Sequence, residues 1–170
     1  KAIGDDYIDL AFRFAHEADH GALLFYNDYG GEDMGAKSDK IYNLVSDMLK
    51  RGVPVHGVGL QCHFVTGQVD TAGIDRNIKR LAALGLKVSI TELDIRLKLP
   101  ADKAMLDRQG DEYRALMNVF LSNPGTCTCF LTWGITDTYS WIPYFFKGYG
   151  AALPFDEKNA LKPAAKGLVK

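Results

Sequence analysis

Lys87-Val88-Ser89-Ile90-Thr91-Glu92-Leu93-Asp94 is an apolar, β-branched run that ends in acid, and it reads as a buried strand over residues 87–94. Side chains alternate across a strand. Val88, Ile90, Glu92 and Asp94 are therefore expected on one face, the apolar pair against a core and the two carboxylates continuing it. Carboxylates on such a face are costly to desolvate without partners. They either emerge into water at the strand's end or sit in a hydrogen-bonded cluster. The preceding run, residues 55–64, supplies candidates for that cluster. Alternation along Gly57-Val58-Gly59-Leu60-Gln61-Cys62-His63 aligns Gly57, Gly59, Gln61 and His63, which puts an amide and an imidazole at the end of a neighbouring strand. An isolated histidine is usually structural, but beside a carboxylate pair His63 is the natural group to orient them. Histidine and carboxylates could also hold a metal, yet no segment has the spacing of a known metal motif, and neither metal nor other cofactor is expected.

Two further runs, residues 22–27 and 127–133, complete a set of four strands whose starts recur every 32 to 40 residues, the length of one strand plus one helix. Between them Ile41, Leu44, Val45, Met48 and Leu49 repeat with helical spacing, as do Tyr113, Leu116, Met117, Phe120 and Leu121. Ile74, Ile78 and Leu81 mark a helix ending before Gly85, and Tyr7, Leu10, Ala11 and Phe14 mark one ahead of the first strand. Gly52 and Asn123-Pro124 are helix stops. Four βα units fit a small open α/β sheet or part of a (β/α)8 barrel; a complete barrel takes roughly 250 residues. Asp28-Tyr29-Gly30-Gly31-Glu32-Asp33, His63 to Gln68, Glu92 to Asp94 and Trp133 to Asp137 gather polar and aromatic groups at the carboxyl end of every strand, which favours the barrel. No linker divides the chain, so one domain over 1–170 is expected.

With 170 residues, 47% hydrophobic and 24% charged, the sequence can bury one real core. Twenty Lys plus Arg against 21 Asp plus Glu leave a net charge of -1 with no basic run, which argues against nucleic acid as a partner. No apolar stretch approaches the roughly 20 residues of a membrane helix, so no membrane partner is expected either. The first residues lack the charged start and apolar centre of a signal peptide, and the chain starts at Lys1, as a processed product or a segment of something longer would. Cys62, Cys127 and Cys129 are too few for a disulfide scaffold and read as ordinary buried residues.

Both tryptophans lie in Thr132-Trp133-Gly134-Ile135-Thr136-Asp137-Thr138-Tyr139-Ser140-Trp141-Ile142-Pro143. Their rings either plug the top of the barrel or form a platform for an amphipathic ligand such as a sugar. Tyr26-Asn27-Asp28-Tyr29 is equally open, since aromatic and amide groups suit a hydroxyl-rich ligand and also make ordinary turns.

These segments, Ala22-Leu23-Leu24-Phe25-Tyr26-Asn27-Asp28-Tyr29, Gly57 to Phe64, Ile90-Thr91-Glu92-Leu93-Asp94 and Trp133 to Trp141, appear in the order found in glycoside hydrolase family 10 endo-β-1,4-xylanases, and the chain closely resembles the carboxyl-terminal half of that family's barrel. The resemblance implies that the four strands are the fifth to eighth of a (β/α)8 barrel. It implies that Glu92 is the nucleophile, with His63 and Asp94 in a hydrogen-bonded relay, that Gln61 and Trp133 border the sugar next to the scissile bond, and that Trp141 covers it. With the substrate then xylan or xylo-oligosaccharide, Tyr26 and Asn27 are expected to contact it too, as groups that suit a hydroxyl-rich ligand. Hydrogen bonds donated by His63 would then help Glu92 stay ionised while Asp94 orients the imidazole. Secretion is implied as well.

The family's acid/base glutamate follows an asparagine on the fourth strand. None of Glu17, Glu32, Glu92, Glu112 and Glu157 does so, and Glu32 is the one conceivable stand-in. The expected activity is retaining hydrolysis of β-1,4 linkages, with this chain inactive alone and its acid/base supplied by a complementary amino-terminal half-barrel or a second copy of the chain. The alternative is a noncatalytic carbohydrate-binding half-barrel.

Overall fold

The computed structural model describes residues 4–169. Its helices are α1 (Tyr7–Ala18), α2 (Ala36–Lys50), α3 (Thr71–Ala83), α4 (Lys103–Leu121) and the short α5 (Ile142–Phe145) and α6 (Pro163–Gly167). Its strands are β1 (Phe25–Asp28), β2 (Gly57–Leu60), β3 (His63–Val65), β4 (Lys87–Lys98), β5 (Cys127–Thr132) and β6 (Tyr149–Gly150). β1, β2, β4 and β5 are parallel and lie side by side in chain order, and β3 continues beyond β2 against the far part of β4. A sheet whose strand order never reverses has no switch point; with helices between its strands it winds as a (β/α)8 barrel does. The fold is four such units, the carboxyl-terminal half of a barrel. Among the described residues the outer edges of β1 and β5 have no partner strand.

The helices form where the apolar periodicity predicts. Ile41, Val45 and Met48 of α2, Ile74, Ile78 and Leu81 of α3, and Tyr113 and Leu116 of α4 pack against Val58, Leu60, Val88, Ile90, Leu93 and Ile95 in one core. Asp70 caps α3 by accepting from the Gly73 N–H at 2.9 Å, and Asp102 caps α4 by accepting from Met105 at 2.8 Å. The chain after β5 is tied down by a buried ion pair, Lys162 Nζ at 2.8 Å from Asp137 Oδ2, with Lys162 also donating to the Ala151 and Leu153 carbonyls at 2.7 Å. Cys62 is buried and Cys127 and Cys129 are half-buried, all as free thiols. No described helix is long and apolar enough to cross a membrane.

Two strands depart from expectation. The run over 55–64 is interrupted between β2 and β3, where Cys62 takes a φ of 66°. β4 continues past Asp94 to Lys98, and its pairing with β5 shifts register between Ile90 and Leu93. Simple alternation put Glu92 and Asp94 on the face of Val88 and Ile90. The irregularity reverses that: Val88, Ile90, Leu93 and Ile95 all join the core beneath the helices, so the carboxylates leave by the opposite face.

Candidate active site

On that opposite face β4 presents Ser89 and, toward the carboxyl ends of the parallel strands, Thr91, Glu92 and Asp94. His63, opened by β3 directly opposite Asp94, lies between the two carboxylates. Its Nε2 is 3.2 Å from Glu92 Oε2 and its Nδ1 is 3.1 Å from Asp94 Oδ2. Asp94 is fully buried, whereas the Glu92 side chain keeps 15% of its surface exposed, so of the pair only Glu92 can meet a ligand. Burial is the largest single influence on His63 and works against its charge, but the hydrogen bonds and charges of Asp94 and then Glu92 together outweigh it and raise the imidazole above its ordinary value.

Glu92 is gripped from a second side. Asn27 on β1 donates from Nδ2 to Glu92 Oε1 at 2.9 Å, and the Thr91 hydroxyl donates to Asn27 Oδ1 at 2.7 Å, which fixes the amide with its NH2 toward the carboxylate. β2 lies between β1 and β4, and Asn27 reaches over it at Gly59. A Cβ there would lie 2.4 Å from Asn27 Oδ1 and 3.0 Å from Thr91 Cγ2. Gly59 and Thr91 are thus parts of the site that sequence reasoning passed over; a glycine inside a strand is the signal of such a close approach. Gln61 sits at the break between β2 and β3. Its N–H donates to the Asp28 carbonyl and its own carbonyl accepts from the Glu92 N–H, both at 3.1 Å, which stitches β1 to β4 at the level of the carboxylate.

Trp141 donates its indole N–H to Asp94 Oδ2 at 2.7 Å and packs its ring 5.0 Å from the His63 ring. Trp133 stands edge-on to His63 at 6.5 Å and is half exposed. Both rings border the carboxylates instead of plugging a core. Tyr26 does not join them. It precedes Asn27 and so leaves by the other face of β1, where it packs on the core and donates to Asp28 Oδ2 at 3.1 Å. That burial, with Asp28 beside it, pushes its hydroxyl up to about 12. Its expected contact with a sugar is therefore withdrawn. Glu32 is also removed as a stand-in acid: it is buried, and its Oε1 accepts from the Gly30 and Cys62 N–H groups at 3.0 and 3.1 Å, pinning the chain at the irregular Cys62.

A carboxyl held by an amide and an imidazole, open to one side and flanked by indoles, can attack or stabilise an electrophilic centre in a ligand with an apolar face. Known proteins resemble the chain over nearly its whole length. Endo-1,4-beta-xylanase B of Thermotoga neapolitana is 41% identical over 96% of this chain, and an endo-1,4-beta-xylanase of Agaricus bisporus is 41% identical over 98%. Xylanase 10B of Thermotoga petrophila RKU-1, solved in complex with xylobiose, superposes with a TM-score of 0.94 at 41% identity over 98% of the chain. The chain spans about half the length of these relatives, 47%, 49% and 51% of each. Since the profile of glycosyl hydrolase family 10 matches residues 1–170 from end to end, the chain belongs to that family.

Proposed function

We propose that residues 1–170 form the carboxyl-terminal half of the catalytic barrel of a retaining endo-1,4-β-xylanase, and that Glu92 is its nucleophile. The observation that carries this reading is the clamp on Glu92, one oxygen on Asn27 and the other on His63, with the side chain still reachable. Held so, the carboxylate attacks the anomeric carbon of a xylose unit and forms a glycosyl ester as the glycosidic bond breaks. The departing oxygen takes a proton from an acid, and water, deprotonated by that same group, then cleaves the ester. His63 and Asp94 hold the nucleophile in place, while Gln61, Asn27, Trp133 and Trp141 line the sugar site. Retention needs the two carboxyl groups roughly 5 to 5.5 Å apart. This chain supplies only the nucleophile, so the acid comes from a complementary half-barrel or, less economically, a second copy of the chain.

The test is Glu92→Ala in the assembled barrel. Hydrolysis should fall by at least about 1000-fold while xylo-oligosaccharide binding persists, because the attacking atom goes and the indoles stay. Azide should then partly restore cleavage of an activated aryl xyloside and give the inverted glycosyl azide. Near-normal hydrolysis would remove Glu92 from the role, and a retained azide product would make it the acid/base. Sugar binding with no turnover in the assembled wild type would point to a noncatalytic binding half-barrel.

A further inference from the structure

Trp141 touches both His63 and Asp94, yet the element that follows it is weak. α5 is a helix of four residues, too short to hold its own shape, so the indole depends on what packs around it. Ile142 anchors one side in the interior. On the other, the rings of Phe145 and Phe146 lie 5.1 and 5.6 Å from the indole, but Phe145 is largely exposed and Phe146 is the inner support. What holds Phe146 is Arg96. Arg96 lies on β4 two residues past Asp94, while Ile95 and Leu97 between and beyond are buried. Its guanidinium lies 4.0 Å from the centre of the Phe146 ring and 5.8 Å from that of Tyr149, and Nη1 donates to the Phe64 carbonyl on β3 at 3.4 Å. β4 thus carries both the carboxylates and the clamp that seats the aromatic loop on them.

We propose that Arg96 is a positioning residue: by stacking on Phe146 it seats Trp141 so that the indole N–H stays on Asp94 and the ring stays against His63. The role in turnover rests on the reading of Glu92 as nucleophile; the seating of the indole does not. When the guanidinium is removed, Phe146 loses its cover, Trp141 loosens, and Asp94 is left to orient His63 without its second donor.

The experiment uses the assembled barrel with only this chain isotope-labelled, so that two indole N–H signals appear, from Trp133 and Trp141. Arg96→Met keeps the apolar stem and removes the charge, and Arg96→Lys keeps a cation over the ring. In Arg96→Met the Trp141 indole N–H should shift upfield and exchange with solvent roughly three- to tenfold faster, the range a cation over an aromatic ring accounts for, while the Trp133 signal stays in place. kcat should fall by a similar factor and Arg96→Lys should recover most of both. An unchanged Trp141 signal in folded Arg96→Met overturns the proposal. If Arg96→Met does not fold, Phe146→Leu removes the clamp from the ring's side; it should give the same indole signature, and an unchanged signal there overturns the proposal equally. If Glu92→Ala were to stay active, the nucleophile reading would fall while the indole result stood.

Discussion

His63 is enclosed by two carboxylates and two indole rings, and its charge is the one in the site whose balance responds to mild changes of pH. Its folded value is raised above 6.5, so the charged imidazole contributes stability that is fully present below 6.5 and is lost as pH rises through the higher folded value. Thermal unfolding across a pH series rising from 6.5 should therefore show wild type losing stability relative to His63→Gln, which lacks the titrating group. Parallel curves for the two would contradict this. At this scale the sequence was readable wherever a residue's neighbours in the chain set its face. Asn27 and Tyr26 are adjacent, so alternation alone forbids both from facing the site; Tyr26 is expected there only because an aromatic group suits a hydroxyl-rich ligand, and the structure puts it on the core side.

The elements that place Glu92 are short, and their irregularities matter more than their regular parts. The apolar runs located the four parallel strands β1, β2, β4 and β5 but not β6, because a buried parallel strand needs an unbroken apolar stretch and a two-residue strand does not. The register shift in β4 was not legible: it depends on how β5 pairs alongside, and nothing within 87–94 marks it. Without it Glu92 and Asp94 would point under the helices. Gly59 is the matching device on β2. Gly59→Ala should drive a Cβ into the Asn27 amide, break its bond to Glu92 and destabilise the protein by about 1–3 kcal/mol, with a loss of kcat/KM in the assembled barrel. Adding Asn27→Ala should restore most of the stability and none of the activity, a coupling that a double-mutant cycle in denaturant measures. Additive losses in that cycle would show that the two residues do not share the space.

Among the described residues the sheet ends on two unpaired edges, β1 and β5, with Leu23, Leu131 and Ile135 exposed near them. Bare edges and exposed apolar side chains favour association. Light scattering should find the chain self-associating at micromolar concentration, and forming a defined complex once the complementary half is added; a compact, cooperatively folding monomer would refute this. The barrel winding was readable from strand spacing and from the polar residues at each strand's end. Among the described residues, Asn27 and His63 of this chain grip the Glu92 side chain by hydrogen bonds. In the proposed assembly the nucleophile is thus set before the halves meet, and the distance to the acid is decided entirely at the seam. Carboxyl groups about 5 to 5.5 Å apart retain configuration and those about 6.5 to 9.5 Å apart invert it. The anomeric configuration of the released sugar would then act as a gauge of closure, reporting to within an ångström or two how tightly two pieces of protein fit together.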